Sequence, residues 1–189
     1  MIELALLSNE RCMSEKSAVP EPTIRRARPE DDAVLGELLV AAYVTAYEKK
    51  MPHVVLPEQR KTDLRAVAEK RKHAIVLVLT GGGEKGEVLG TVSLWPQNTE
   101  GSEAWLPNAC DLRHLATAPS AHGRGLSKSL LDEAERVARE ELRSDAICLH
   151  VRKGNEGVRR LYEKRGYVRD ESGDLELPSV SLMAFAKKL

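Results

Sequence analysis

The 189-residue sequence predicts an α/β fold of the α+β type, a single domain in which helices flank a central sheet. Three observations carry that reading. Residues 74–79 and 88–94 are apolar, β-branched runs on either side of the glycine-rich stretch 81–86, the pattern of an antiparallel hairpin. Leu126, Leu130, Leu131, Ala134, Val137, Ala138 and Leu142 fall on one face of a helix over residues 123–142. That helix lies between two further strand-like runs, 110–117 and 146–151, so strand and helix alternate.

The remaining elements follow in chain order. Residues 1–22 mix polar residues with Pro20 and Pro22 and lose apolar periodicity after Leu7, the composition of a flexible extension in which Met13 offers a second start. The domain then occupies residues 23–189. A short strand at 23–27 leads into Pro29, Glu30, Asp31 and Asp32, an acidic helix start ahead of Val34, Leu35, Leu38, Leu39, Ala42 and Tyr43 on one helical face. A second helix is expected over 58–70. Residues 96–107 are polar and turn-rich, the strand 110–117 ends before Pro119, and a helix over 155–164 stops at Gly166. Strands near 167–169 and 180–186 complete the pattern.

Composition excludes several classes of function. With 29 basic and 29 acidic residues the formal charge is zero, so the chain lacks the electrostatic footprint of a protein that grips phosphate backbones. The cations Arg159, Arg160, Lys164 and Arg165 form one basic helix face without an aromatic platform, which solvation explains better than nucleic acid. At 42% apolar and 31% charged residues, neither disorder nor a fibrous repeat is indicated. Apolar runs such as 74–79 fall far short of the roughly 20 residues that span a bilayer. Residues 2–7 are apolar but interrupted by Glu3, with no basic flank and no cleavage signature, so secretion is not expected. Cys12, Cys110 and Cys148 are an odd number without metal-like spacing and read as reduced, structural thiols of a cytoplasmic protein.

The chemistry is concentrated between Asp111 and Tyr167. The strand Asp111-Leu112-Arg113-His114-Leu115-Ala116-Thr117 turns through Pro119 into His122-Gly123-Arg124-Gly125-Leu126-Ser127 and the long helix. Glycines at a strand-to-helix turn let backbone N–H groups converge, and the helix start adds partial positive charge. Such a turn holds phosphate without a charged side chain. It is not a Walker loop, since Glu87 and Val88 follow Gly86 where Lys and Ser or Thr are required. A dinucleotide fingerprint wants a small residue three positions beyond Gly125, where Lys128 stands.

In order, spacing and residue type this stretch resembles the GCN5-related N-acetyltransferase (GNAT) family, over roughly residues 23–189. The family's coenzyme A loop is Gln or Arg, two residues, Gly, one residue, then Gly or Ala; residues 122–127 are similar, with His122 and Ser127 as departures. Asn155 followed by Leu161-Tyr162-Glu163-Lys164-Arg165-Gly166-Tyr167 is similar to the second signature. The resemblance implies a mixed, mostly antiparallel sheet and transfer of an acetyl group from acetyl-CoA, with no metal, to a primary amine by direct attack in a ternary complex. It implies that the strand ending at Thr117 splays from residues 146–151 and that the pantetheine arm lies in the gap against Leu115, Ala116 and Thr117. Residues His122, Gly123, Arg124, Gly125, Leu126 and Ser127 would hold the pyrophosphate, and Asn155 would lie near the arm. Tyr162 occupies the general acid's position and Asp111 that of a general base. The implied acceptor is a small-molecule or peptide amine, and a homodimer is compatible with the family. A degenerate acetyl-CoA-binding sensor is the rival reading, opposed by the intact Tyr162 and Asn155.

Two further expectations concern the acceptor side. Alternation along the strand sends His114 to the face opposite Asp111 and Arg113, a structural or solvent-facing position. Glu100, Glu103 and Asp111, against Arg113 alone, predict negative charge at the acceptor mouth and a cationic amine as substrate, whereas Arg113, if it faces the pocket, would favour a carboxylate-bearing one; the resemblance implies that Tyr43 and Tyr47 border the same region.

Overall fold

The computed structural model describes residues 22–189. Cys12, Met13 and the expected extension up to residue 21 lie outside the described residues. The sheet begins with β1 (Thr23–Arg26) antiparallel to β2 (Ile75–Gly81), which forms the expected hairpin with β3 (Glu87–Trp95). The hairpin turn depends on Gly86, because a Cβ there would sit 1.6 Å from the Gly81 carbonyl oxygen. β3 pairs antiparallel with β4 (Ala109–Thr117), and β4 pairs in parallel with β5 (Ala146–Arg152). The strand β8 (Val180–Lys188) inserts antiparallel beside β5 and carries β6 (Val168–Arg169) and β7 (Leu175–Leu177) on its other edge. The sheet is therefore mixed and mostly antiparallel.

Helices cover both faces. On one face α4 (Leu126–Glu140) and α5 (Glu156–Glu163) bury Leu130, Leu131, Ala134, Val137 and Tyr162 against Leu77, Val92, Leu112, Ile147 and Leu149. On the other, α1 (Asp32–Lys50) packs Leu35, Leu38 and Leu39 on Val76, Val78 and Ala116. The helix expected over 58–70 is two helices, α2 (Glu58–Arg65) and α3 (Val67–His73), with Ala66 at φ −72°, ψ 53° between them. No glycine or proline announces that break. It falls one residue past the point where Gly36 brings α1 against the Arg65 backbone, at 3.0 Å from a notional Cβ, so the bend is set by helix packing. The helix expected from residue 123 begins at Leu126, because Gly123 and Gly125 adopt φ 78° and 73°. β7 has no expectation to match, since its three residues are too short to show alternation. Cys110 and Cys148 are buried free thiols; burial pushes Cys110 up to about 12 and Cys148 upward as well.

One charge cluster fixes the start of the fold. Asp31, nearly inaccessible, accepts from Arg25 Nη1 and Nη2 at 2.7 and 2.9 Å and from the Arg28 amide at 2.7 Å, tying β1 to the start of α1. The Arg25 hydrogen bonds outweigh burial and hold the Asp31 carboxyl below its ordinary value. Asp31→Ala leaves the guanidinium half-buried and unpaired, which is expected to cost about 3 kcal/mol and lower Tm by roughly 6–12 °C. Because the folded pKa is depressed, the wild type's advantage in thermal melts is full above about pH 4 and disappears as pH falls through that depressed value.

Candidate active site

The sheet opens where β4 leaves β5. The two strands pair only at Ala109–Ala146, Cys110–Ile147 and Asp111–Cys148, although β4 runs on to Thr117. A bulge marks the divergence: Thr91 faces Ala116 and Ser93 faces Arg113, so one residue of β3 is matched by His114 and Leu115. His114 adopts φ 55°, a left-handed conformation that histidine tolerates better than most residues. The extra residue resets the alternation, and His114 lies on the same side as Arg113, contrary to the two-residue period. Both pack on Trp95, the Arg113 guanidinium 5.1 Å and the His114 ring 5.4 Å from its ring. Burial first, then Lys70, Arg60 and Arg113, hold the His114 imidazole well below its usual value, so it is neutral.

Leu115, Ala116 and Thr117, on the stretch of β4 without a β5 partner, line a cleft of about 360 Å³. Its next wall is the glycine turn, with His122, Gly123, Gly125, Leu126 and Ser127. Notional Cβ atoms on Gly123 and Gly125 meet nothing within 4 Å, so the turn borders open space. The amides of residues 123–127 find no backbone acceptor among the described residues; Lys128 is the first to bond back, to Gly125 O at 2.9 Å. Five free N–H groups at the start of a 15-residue helix make an anion cradle. Arg124 is exposed and does not line the cleft.

α5 supplies Val158, Leu161 and Tyr162 to the opposite wall. Tyr162 is 5% exposed and meets Tyr167 edge-on at 5.3 Å. Burial, with a smaller contribution from Tyr43 and opposition from Arg165, pushes its phenol well above the ordinary value, so the group is protonated throughout the working range. Asn155 caps α5, accepting from the Val158 amide at 3.4 Å, and does not line the cleft.

Asp111 is fully buried beside the divergence and outside the cleft lining. Its Oδ2 accepts from Arg113 Nε at 2.5 Å and from the Glu103 amide at 2.9 Å, while Oδ1 has no partner among the described residues. Burial raises the carboxyl above its usual range, and Arg113 only partly offsets this. Glu103 also approaches Arg113, at 3.0 Å, and His150, at 3.6 Å; Glu100 lies 3.5 Å from His73. The expected accumulation of negative charge is therefore not found, because Arg113 sits between two of the three carboxylates. Facing Tyr43 and Tyr47 are cations instead. The Arg152 guanidinium lies 5.4 Å from the Tyr47 ring, and Arg60 and Arg113 act on the Tyr43 phenol. Of the basic face on α5 and the turn after it, Arg159 pairs with Glu156 and Arg165 with Asp132 and Glu135.

The model of the Acetyltransferase (GNAT) family matches residues 35–167, a span that includes the glycine turn, Asn155 and Tyr162. The chain belongs to the GNAT acetyltransferase family. It is accordingly an acyltransferase of the EC 2.3.1 class. No curated protein matches the chain in sequence. Among solved structures, a GNAT acetyltransferase from Staphylococcus aureus Mu50 has a TM-score of 0.66 at 15% identity, covering 89% of this chain and 99% of its own. The PaiA N-acetyltransferase of Thermoplasma acidophilum, solved with coenzyme A, has a TM-score of 0.64 at 18% identity over the same shares. Spermidine N-acetyltransferase of Vibrio cholerae, solved with CoA and spermine, has 0.59 at 17% identity, covering 88% of this chain and 95% of that one. These likenesses establish the GNAT fold. Among the described residues, no helix is long and apolar enough to cross a membrane and no cluster of three His, Cys, Asp or Glu could hold a metal ion.

The sequence pointed to the glycine turn and Tyr162 but not to Arg60, Arg152 or His150, which no motif marks. Lys49 and Lys50, also unanticipated, carry a signal: they continue the spacing of Ala42, Thr45 and Ala46, with which they line the cleft.

Proposed function

We propose that this GNAT protein transfers the acetyl group of acetyl-CoA to the primary amine of a small-molecule acceptor, by direct attack within a ternary complex. The observation that carries the reading is one cleft uniting an anion-cradling turn, an unpaired strand edge and a buried phenol. The residues fit the cofactor. The free amides of 123–127 match a diphosphate, and the edge of β4 past Asp111 offers backbone groups to an amide-containing arm. Spermine and CoA together in the Vibrio cholerae relative support an amine acceptor.

When bound, acetyl-CoA supplies the activated acyl group, and the chain's residues divide the remaining work. The Leu115 N–H polarises the thioester carbonyl in the manner of an oxyanion donor. An alkylamine of pKa near 10.4 costs roughly 4.6 kcal/mol to neutralise at pH 7, so a proton acceptor is needed. Asp111, with its raised pKa and unpartnered Oδ1, takes that proton through an intervening water. Tyr162 gives its hydroxyl proton to the departing sulfur. The charge near Tyr43 and Tyr47, carried by Arg60 and Arg152 without an acidic partner among the described residues, favours acceptors that bear an anionic group, reversing the expectation from composition.

The test is thiol release by purified protein with millimolar acetyl-CoA and a panel of anionic and cationic primary amines. Turnover is expected, with specificity constants led by the anionic series and that lead shrinking at high salt. Absence of thiol release throughout, together with no acetyl-CoA-induced rise in Tm, would reject the proposal.

Tyr162→Phe keeps the ring and is expected to lower kcat by about 10²-fold with acetyl-CoA affinity retained, measured by steady-state kinetics and calorimetry. Asp111→Asn should cost most at pH 7 and progressively less as pH approaches the amine's own pKa, because a base matters less once the amine is neutral. A pH-independent loss would assign Asp111 to the Arg113 and Glu103 cluster alone.

A further inference from the structure

The cleft lining contains two lysines, a histidine and no carboxylate. Lys49 and Lys50 stand in the last turn of α1, and neither has an acidic partner among the described residues. The other cations near the glycine turn are not available in the same way: Lys128 pairs with Asp132 at 2.7 Å, and Arg124 does not line the cleft. Residues 42, 45, 46, 49 and 50 form one stripe of α1, small side chains leading to the two ammonium groups. Lys50 also reaches across to α5, its Nζ 3.5 Å from a notional Cβ on Gly157, so the end of α1 crosses the cleft to the start of that helix.

Cations in a last turn are ordinary complements to a helix dipole, yet that accounts for their charge and not for their direction. A helix C-terminus turned toward an anion cleft would repel its ligand, and two lysines reverse the sign. The glycine turn has His122 where the family pattern has Gln or Arg, and the loop's own arginine, Arg124, does not line the cleft.

We propose that Lys49 and Lys50 clamp the cofactor's diphosphate from the α1 side, opposite the amides of residues 123–127. This rests on the acetyl-CoA reading above. The pair converts a backbone cradle into a two-sided grip: the small stripe of α1 leaves room for the arm, and the ammonium groups meet the phosphate oxygens as they leave the turn.

The experiment is calorimetric titration of the full chain with acetyl-CoA and with S-acetylpantetheine, which lacks the diphosphate, for wild type, K49A/K50A and K49R/K50R at low and high salt. Tenfold or greater weakening toward acetyl-CoA in K49A/K50A, a collapse of the ratio between the two ligands, a shallower salt dependence and recovery in K49R/K50R would support the clamp. An undiminished ratio in K49A/K50A, with the wild type binding normally, would overturn it while leaving the acetyl-CoA reading intact. Failure of the wild type to bind acetyl-CoA would overturn that reading and the clamp with it. If K49A/K50A keeps the ratio but loses preference for anionic over cationic amines in the thiol-release assay, the lysines serve the acceptor and the clamp is likewise rejected.

Discussion

Everything at the cleft depends on β4 and β5 parting company after Asp111. A parallel pair held along its full length would satisfy every backbone group between Arg113 and Thr117 and leave no edge for a ligand. The bulge at His114 and Leu115 accompanies the parting, and it places a buried histidine and an arginine side by side on Trp95. The same irregularity thus opens one side of the strand and concentrates charge on the other. A half-buried cation beside a neutral imidazole is costly, and here the Trp95 contact and the carboxylates of Asp111 and Glu103 offset the charge of Arg113.

The two walls of the cleft are made by different means. The glycine turn contributes backbone, fixed by two left-handed residues and the first turn of α4, and is rigid because α4 is anchored in the larger core through Leu130, Leu131 and Val137. The α1 wall contributes side chains at the end of a helix whose buried contacts lie mainly in its first half. Anion recognition by backbone is insensitive to pH and to rotamer choice, whereas recognition by lysine adds charge at the expense of order. The arrangement assigns geometry to one wall and field strength to the other.

Much of the fold was legible because its signals are local. The α4 stripe and the hairpin flanking Gly86 each follow from neighbours in sequence. Tyr162 and the glycine turn were legible for the same reason. The rest is set by partners distant in the chain. The break at Ala66 arises where α1 presses on Arg65 through Gly36, twenty-nine positions apart in sequence. The reversal of His114 follows from a register mismatch with β3, which a strict period of two cannot express. Asp111 reads as a free carboxylate in sequence, and only the folded chain shows Arg113 and the Glu103 amide closing on it. Counting Glu100, Glu103 and Asp111 as one charged rim failed because composition does not reveal pairing.

β8 lies inside the sheet, between β5 and the short strands β6 and β7, even though it is built from residues 180–188. Until those residues have emerged from the ribosome, β5 presents a bare edge carrying Ile147, Leu149 and Val151, and the Lys187 contact that completes the Glu135 cluster on α4 is absent. The amino-terminal half can assemble during synthesis, since β1, β2, β3 and β4 are neighbours in both chain and sheet. The half that holds β5 lacks its antiparallel neighbour until the final strand is made. A nascent chain stalled before residue 180 would therefore offer an adhesive strand edge to other chains where the finished sheet presents a paired strand.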